Sequence, residues 1–233
     1  MIEFGHGTHV GLRRGHNEDT YHADVNSGLW LVADGMGGHA HGEVASAVAR
    51  DTIARCWSDG ASLNDAIREA DKAIIAISSR RRGVLPMGTT VAALALQEHS
   101  YQVAWVGDSR VYLFQDGLRQ LSQDHSYVQQ LVALGSISEA DARRHPRRNV
   151  VTQALGVTAP DDLEVAMLEG TTVPGMQFLL CSDGLTEDLD DKHIAAIVQR
   201  RDLSAQECVD HLILGALDGG GSDNITVLLV RLS

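Results

Sequence analysis

Short apolar runs punctuate this chain: Leu29 to Ala33, Thr90 to Leu96, Val103 to Val106, Val111 to Phe114, Gln177 to Cys181 and Ile225 to Val230. Their β-branched and aromatic content and turn-forming flanks predict strands. Val103–Val106 and Val111–Phe114 are joined only by Gly107-Asp108-Ser109-Arg110. A link that short permits an antiparallel hairpin and excludes a helical crossover, so the sheet is expected not to be wholly parallel. Helical spacing fills the gaps. Ser204-Ala-Gln-Glu207 spells a capping box, Val209, Leu212, Ile213, Ala216 and Leu217 follow on one face, and Gly219 to Gly221 ends the run. A second helix is predicted from about Ser62, with Ile67, Ala70, Ile74 and Ile77 on its apolar face, and a third over about Glu43 to Trp57.

Nothing in the pattern marks a repeat, a low-complexity tract or a linker, so one domain over residues 1–233 is expected. The longest apolar stretches, such as Val91 to Leu96, fall far short of the ~20 residues that span a bilayer. No basic segment leads into an apolar one at the start, and three widely spaced cysteines suit reduced thiols, so a cytoplasmic protein away from membranes is expected. Asp and Glu number 31 against 19 Lys and Arg, a formal charge of −12, which disfavours nucleic acid as a partner. Within that acidic chain, Gly135 to Asn149 carries Arg143, Arg144, Arg147 and Arg148. It reads either as a solvated polar insertion or as a basic flap that draws in an anion.

Several chemistries drop out. Lys72 and Lys192 are the only lysines and neither follows a glycine-rich loop, so there is no P-loop. No cysteine has an arginine six positions on, which removes the cysteine-phosphatase mechanism. Gly35-Met-Gly-Gly-His-Ala40 matches a dinucleotide fingerprint, but Asp34 directly before it would crowd a pyrophosphate and no alternating parallel β-α units follow. The histidines His6, His9, His16, His22, His39 and His41 lack zinc-site spacing.

Acidic residues beside glycine at strand ends remain: Asp34, Asp108, Asp183 and Asp223. One such residue is usually a turn. Four are another matter, because clustered carboxylates repel unless cations hold them together. Hard oxygen ligands select Mg²⁺ or Mn²⁺. Two such ions bridged by one carboxylate can lower the pKa of a shared water for in-line attack at phosphorus. A planar guanidinium must then hold the phosphate, and Arg13 and Arg14 are the candidates.

The segments Arg14-Gly-His-Asn-Glu18-Asp19, Val32-Ala-Asp34-Gly-Met-Gly-Gly38, Met87-Gly-Thr-Thr90, Gly107-Asp-Ser-Arg110, Ser182-Asp-Gly184 and Gly221-Ser-Asp-Asn-Ile-Thr226 occur in this order. Together they resemble the motif series of the bacterial PP2C-type (PPM) metal-dependent serine/threonine phosphatases. The segment of about 124–150 is similar to the flap of that branch.

The resemblance implies an α+β fold of four layers, with two central antiparallel sheets between helices. It implies that Asp34 bridges two Mn²⁺ or Mg²⁺ ions and that the Gly35 carbonyl binds the second. Asp183 and Asp223 would bind the first ion, Glu18 the second through water, and Asp108 a weaker third. Asp19 would lie behind the ligands, and Arg14 would clamp the phosphate. A hydroxide bridging the two ions would attack phosphoserine or phosphothreonine directly. The implied partners are a Hanks-type kinase and its phosphorylated substrates, with the enzyme a monomer. Animal members carry a histidine two residues after the bridging Asp, where this chain has Met36. The leaving group's proton must then come from metal-bound water or another group, with His39 the nearby candidate. A binding module without turnover would be expected to have lost a ligand, and this chain keeps them all.

Overall fold

A computed structural model describes residues 1–37, 41–79 and 87–233. Two five-stranded sheets, antiparallel throughout, form its centre. One contains, in spatial order, β1 (Ile2–His9), β12 (Ile225–Leu232), β11 (Gln177–Cys181), β8 (Arg110–Phe114) and β9 (Leu118–Gln120). The other contains β10 (Ala166–Thr171), β7 (Ser100–Val106), β6 (Val91–Gln97), β3 (Leu29–Ala33) and β2 (Thr20–Asp24). A two-stranded ribbon joins β4 (Gly35–Met36) to β5 (Gly88–Thr89).

Residue parity within the strands explains the layering. In β3, Trp30 and Val32 pack into the core between the sheets, with Phe178 and Leu180 of β11 and Leu228 and Val230 of β12. The alternate residues Leu29, Leu31 and Ala33 pack against α1 (His41–Ser58) and α2 (Leu63–Ser79). Leu179, Val227 and Leu229 pack on the far side against α5 (Asp183–Asp188), α6 (Asp191–Val198) and α7 (Ala205–Gly219). Strands buried on both faces read as unbroken apolar runs, which is why these were visible in the sequence. The result is the expected four-layer α+β sandwich. Truncating Phe178, fully buried between the sheets, would cost about 3–5 kcal/mol.

The capping box at Ser204 forms as expected: its hydroxyl accepts the Glu207 N–H at 3.2 Å, and its own N–H donates to Glu207 Oε2 at 2.8 Å. Gly220, at φ +140°, ends the helix. The hairpin that Gly107–Arg110 permits is not made. β7 pairs with β6 and β10, whereas β8 pairs with β11 and β9, so the four residues carry the chain from one sheet to the other. Gly107, at φ +103°, allows the crossing, and a Cβ there would lie 2.6 Å from Thr90 Cγ2. The crossover sets Asp108 at the mouth between the sheets, beside the exits of β3 and β11.

Candidate active site

The chain leaves β3 at Asp34, β7 at Gly107 and β11 at Ser182, and enters β12 after Asp223, all at one end of the sandwich. A cleft of about 530 Å³ opens there, and Arg14, Glu18, Asp34, Gly35, Asp108, Asp183 and Asp223 all line it. Arg14 stands in its wall and Arg13 does not. His39 lies outside the described residues.

Hydrogen bonds from neighbouring turns hold the Asp34 backbone. Its N–H donates to Thr90 Oγ1 at 3.2 Å, and its carbonyl accepts from the Thr90 N–H and the Thr89 hydroxyl, both at 2.8 Å. The Thr90 hydroxyl also meets Ser109 Oγ at 2.7 Å, which ties the Asp34 turn to the crossover bearing Asp108. Gly35 is required by close approach: a Cβ there would collide with the Gly42 carbonyl and lie 2.6 Å from the Glu18 carbonyl. The Glu18 carbonyl accepts from the Gly35 N–H at 3.2 Å and the Ser46 hydroxyl at 2.6 Å.

Asp19 is buried behind the cleft, with Oδ2 accepting from the hydroxyls of Ser182 and Thr226, each at 2.7 Å. Burial pushes its carboxyl up to about 6 despite those two bonds. Burial raises Asp34 and Asp183 well above the usual carboxylate range, and the neighbouring carboxylates add to the effect. Asp108 is pushed up to about 7 by burial and then by Asp124. Arg14 donates to Asp223 Oδ2 at 2.5 Å, which raises its own pKa further.

The donor set suits hard divalent cations. Among the described residues, Asp183 Oδ1 and Asp19 Oδ1 are buried without a hydrogen-bond partner, a costly state for a carboxylate oxygen unless something positive meets it. Among the described residues no three acidic, histidine or cysteine side chains already converge on one ion position. Such convergence is opposed by mutual repulsion of the carboxylates, and Arg14 already engages one of them. The residues therefore fit the ions the sequence implied.

The segment of about 124–150 folds beside the cleft. It holds α3 (Tyr127–Ala133) and α4 (Glu139–Ala142), is closed by a bridge between Ser126 and Val151, and places Asn149 in the cleft wall. Its positive field is partly spent locally. Arg143 lies 3.5 Å from Asp191, and Arg147 stacks 4.1 Å over the Tyr127 ring. At the base of the segment, Arg110 grips Asp124 with both ends of its fork, at 2.6 and 2.9 Å.

Sequence reasoning gave no role to Thr90, Ser182 or Asn224, although all three stand in the quoted motifs. A hydroxyl or amide that organises carboxylates shows no periodicity. Only its placement beside an acidic strand end could have singled it out.

Residues 7–212 match the family described as protein phosphatase 2C. A serine/threonine phosphatase, stp, of Listeria monocytogenes serotype 4b is 39% identical over 239 residues, covering 96% of this chain and 93% of the relative. The crystal structure of the Mycobacterium tuberculosis serine/threonine phosphatase PstP/Ppp superposes with a TM-score of 0.92 at 35% identity, covering 100% of this chain and 99% of that one. The catalytic domain of the serine/threonine phosphatase PstP in complex with two manganese ions gives a TM-score of 0.89 at 32% identity, covering 99% of this chain and 98% of that one. With the family match spanning residues 7–212 and a relative 39% identical over 96% of the chain, the chain belongs to the protein phosphatase 2C family.

Proposed function

We propose that this chain removes phosphate from phosphoserine and phosphothreonine in proteins by direct hydrolysis, without a covalent enzyme intermediate. Membership of the family makes it a protein-serine/threonine phosphatase. The metal set, the attacking group and the partners are our reading. Asp34 would bridge two Mn²⁺ or Mg²⁺ ions, with Asp183 and Asp223 on one and the Gly35 carbonyl and Glu18 on the other; Asp108 would take a weaker third. Bound there, the ions would supply an activated, bridging nucleophile and offset charge developing on the phosphoryl oxygens. The observation that carries this reading is the pair of buried carboxylate oxygens on Asp183 and Asp19 that have no hydrogen-bond partner among the described residues, beside carboxylates that raise one another's pKa.

Arg14 binds the substrate phosphate through its guanidinium fork and gives up its bond to Asp223 as it does so. Asp19, held by Ser182 and Thr226, fixes the ground behind the ligands. Met36 lines the cleft and has no proton to give the leaving alkoxide, so that proton comes from elsewhere, with His39 as candidate. Residues 124–150 act as the flap of a single catalytic unit. In support, β1 near the N-terminus pairs with β12 near the C-terminus, so both ends build one sheet. No helix among the described residues is long and apolar enough to cross a membrane. We place the enzyme in the cytoplasm as a monomer opposing a Hanks-type kinase.

Turnover of a phosphothreonine peptide with Mn²⁺, with Mg²⁺ and with EDTA tests this. Metal-dependent release of phosphate is expected. Tight binding of the phosphopeptide with no turnover under any metal would favour a sensor.

A further inference from the structure

The loop between β1 and β2 carries Arg14 and Glu18, yet little apolar packing holds it: Leu12 is 65% exposed. Polar ties order it instead, and one side chain supplies three of them. Asn224 Nδ2 donates to the Val10 carbonyl and to the His16 carbonyl, both at 2.9 Å, while Oδ1 accepts the Glu18 N–H at 2.8 Å. Both amide donors are thus used, together with an acceptor, in a residue that is only 5% exposed. The three contacts span residues 10 to 18, with Arg14 near the middle.

Asn224 is itself fixed to the carboxylate end. Its N–H donates to Asp223 Oδ1 at 2.8 Å, and the next residue, Ile225, pairs with His9 as β12 begins. Its carbonyl packs against Gly184, where a Cβ would collide with it.

We infer that Asn224 is a positioning residue that sets the phosphate clamp Arg14 relative to Asp223. Its side-chain amide, at the cleft wall, is spent on the loop backbone, and it acts through those bonds. The inference rests on the proposed roles of Arg14 and Asp223. Asparagine is needed for its chemistry: it offers two donors and an acceptor, whereas aspartate would turn a carboxylate oxygen toward two carbonyl oxygens.

The test compares Asn224→Asp and Asn224→Ala with the wild type, alone and in an Arg14→Ala background, using a phosphothreonine peptide and Mn²⁺. Asn224→Asp keeps an acceptor for Glu18, removes the two donors and adds a carboxylate, so it remains informative if the alanine variant folds poorly. KM should rise on the order of tenfold in Asn224→Asp, with a smaller change in kcat. In the Arg14→Ala background the same substitution should move KM less than about twofold, because the clamp it positions is gone. A purely structural role would add its full effect in both backgrounds, and that result overturns the assignment. So does an unchanged KM, or a fall in kcat alone, in Asn224→Asp beside an active wild type. Failure of the wild type itself to turn over would instead remove the phosphatase reading.

Discussion

Strands β11 and β12 each run from one end of their sheet to the other, and a buried polar group sits at both ends. At the end away from the cleft, Arg231 is 5% exposed and fully engaged. It donates to Gln177 Oε1 at 2.6 Å, the Leu203 carbonyl at 2.6 Å and the Arg200 carbonyl at 3.1 Å, and Gln177 faces it across the ladder. At the cleft end, Asp183 and Asp19 each keep a buried oxygen without a partner among the described residues, and the carboxylates around them raise one another's pKa. One end of these strands thus holds a buried charge whose contacts are complete, and the other faces a group of charges, drawn from both sheets, whose contacts are not. Complete contacts stabilise a fold. Incomplete ones cost stability and persist where a ligand finishes them.

The sharpest way to break this contrast is to neutralise one residue at each end. Asp34→Asn should lower turnover by ~10³-fold or more, because the carboxylate proposed to bridge the two ions is lost. It should also raise the melting temperature of the chelated protein, because one repelling buried carboxyl is gone. Activity assays and thermal melts of the same preparation check both halves, and a metal-free variant that is less stable would break the comparison. At the opposite end, Arg231→Met should cost about 3 kcal/mol of stability by stranding Gln177 and two carbonyls, with kcat per folded molecule unchanged. Denaturant titration beside kinetics reads this out.

Smaller effects sharpen the picture. Arg14→Ala should raise KM about tenfold for a phosphopeptide. The same change should tighten Mn²⁺ binding by roughly two- to fivefold, because a partly exposed guanidinium competes for Asp223. Calorimetric titration with Mn²⁺ measures this directly, and weaker binding would show that Arg14 supports the metal site instead. The smallest effect is on pH. Asp19 at about 6 and Asp108 at about 7 hold protons more tightly when folded than the ~3.9 of an unfolded aspartate. The folded state therefore carries more protons between about pH 4 and 7, and the chelated protein should lose stability as pH rises through that window. Melts with Mn²⁺ present should lose that slope.

Strands buried on both faces, such as Leu29–Ala33 and Gln177–Cys181, were legible because neither face needs polar residues. β1 was not: its sequence Ile-Glu-Phe-Gly-His-Gly-Thr-His has few apolar residues and is half-exposed at the sheet edge. β10 alternates between half-buried and exposed residues over only six positions, too weak a signal to stand out. The crossover at Gly107 looked like a hairpin because four residues satisfy either geometry, and only the partners chosen by β7 and β8 decide. The acidic residues of the cleft were legible as a set, since carboxylates beside glycine at strand ends are a local feature. Asn224 and Thr90 escaped because their work is done on backbone atoms more than 50 residues away in sequence.

On the proposed reading, divalent metal completes the acidic end of the sandwich, which then hydrolyses phosphoesters. The most direct test of that reading titrates Mn²⁺ into chelated protein while following release of phosphate from a phosphothreonine peptide, for the wild type and Asp34→Asn in parallel. Turnover that rises with metal occupancy in the wild type and stays at background in the variant is the predicted result. Turnover that persists in EDTA, or that Asp34→Asn leaves intact, would contradict it.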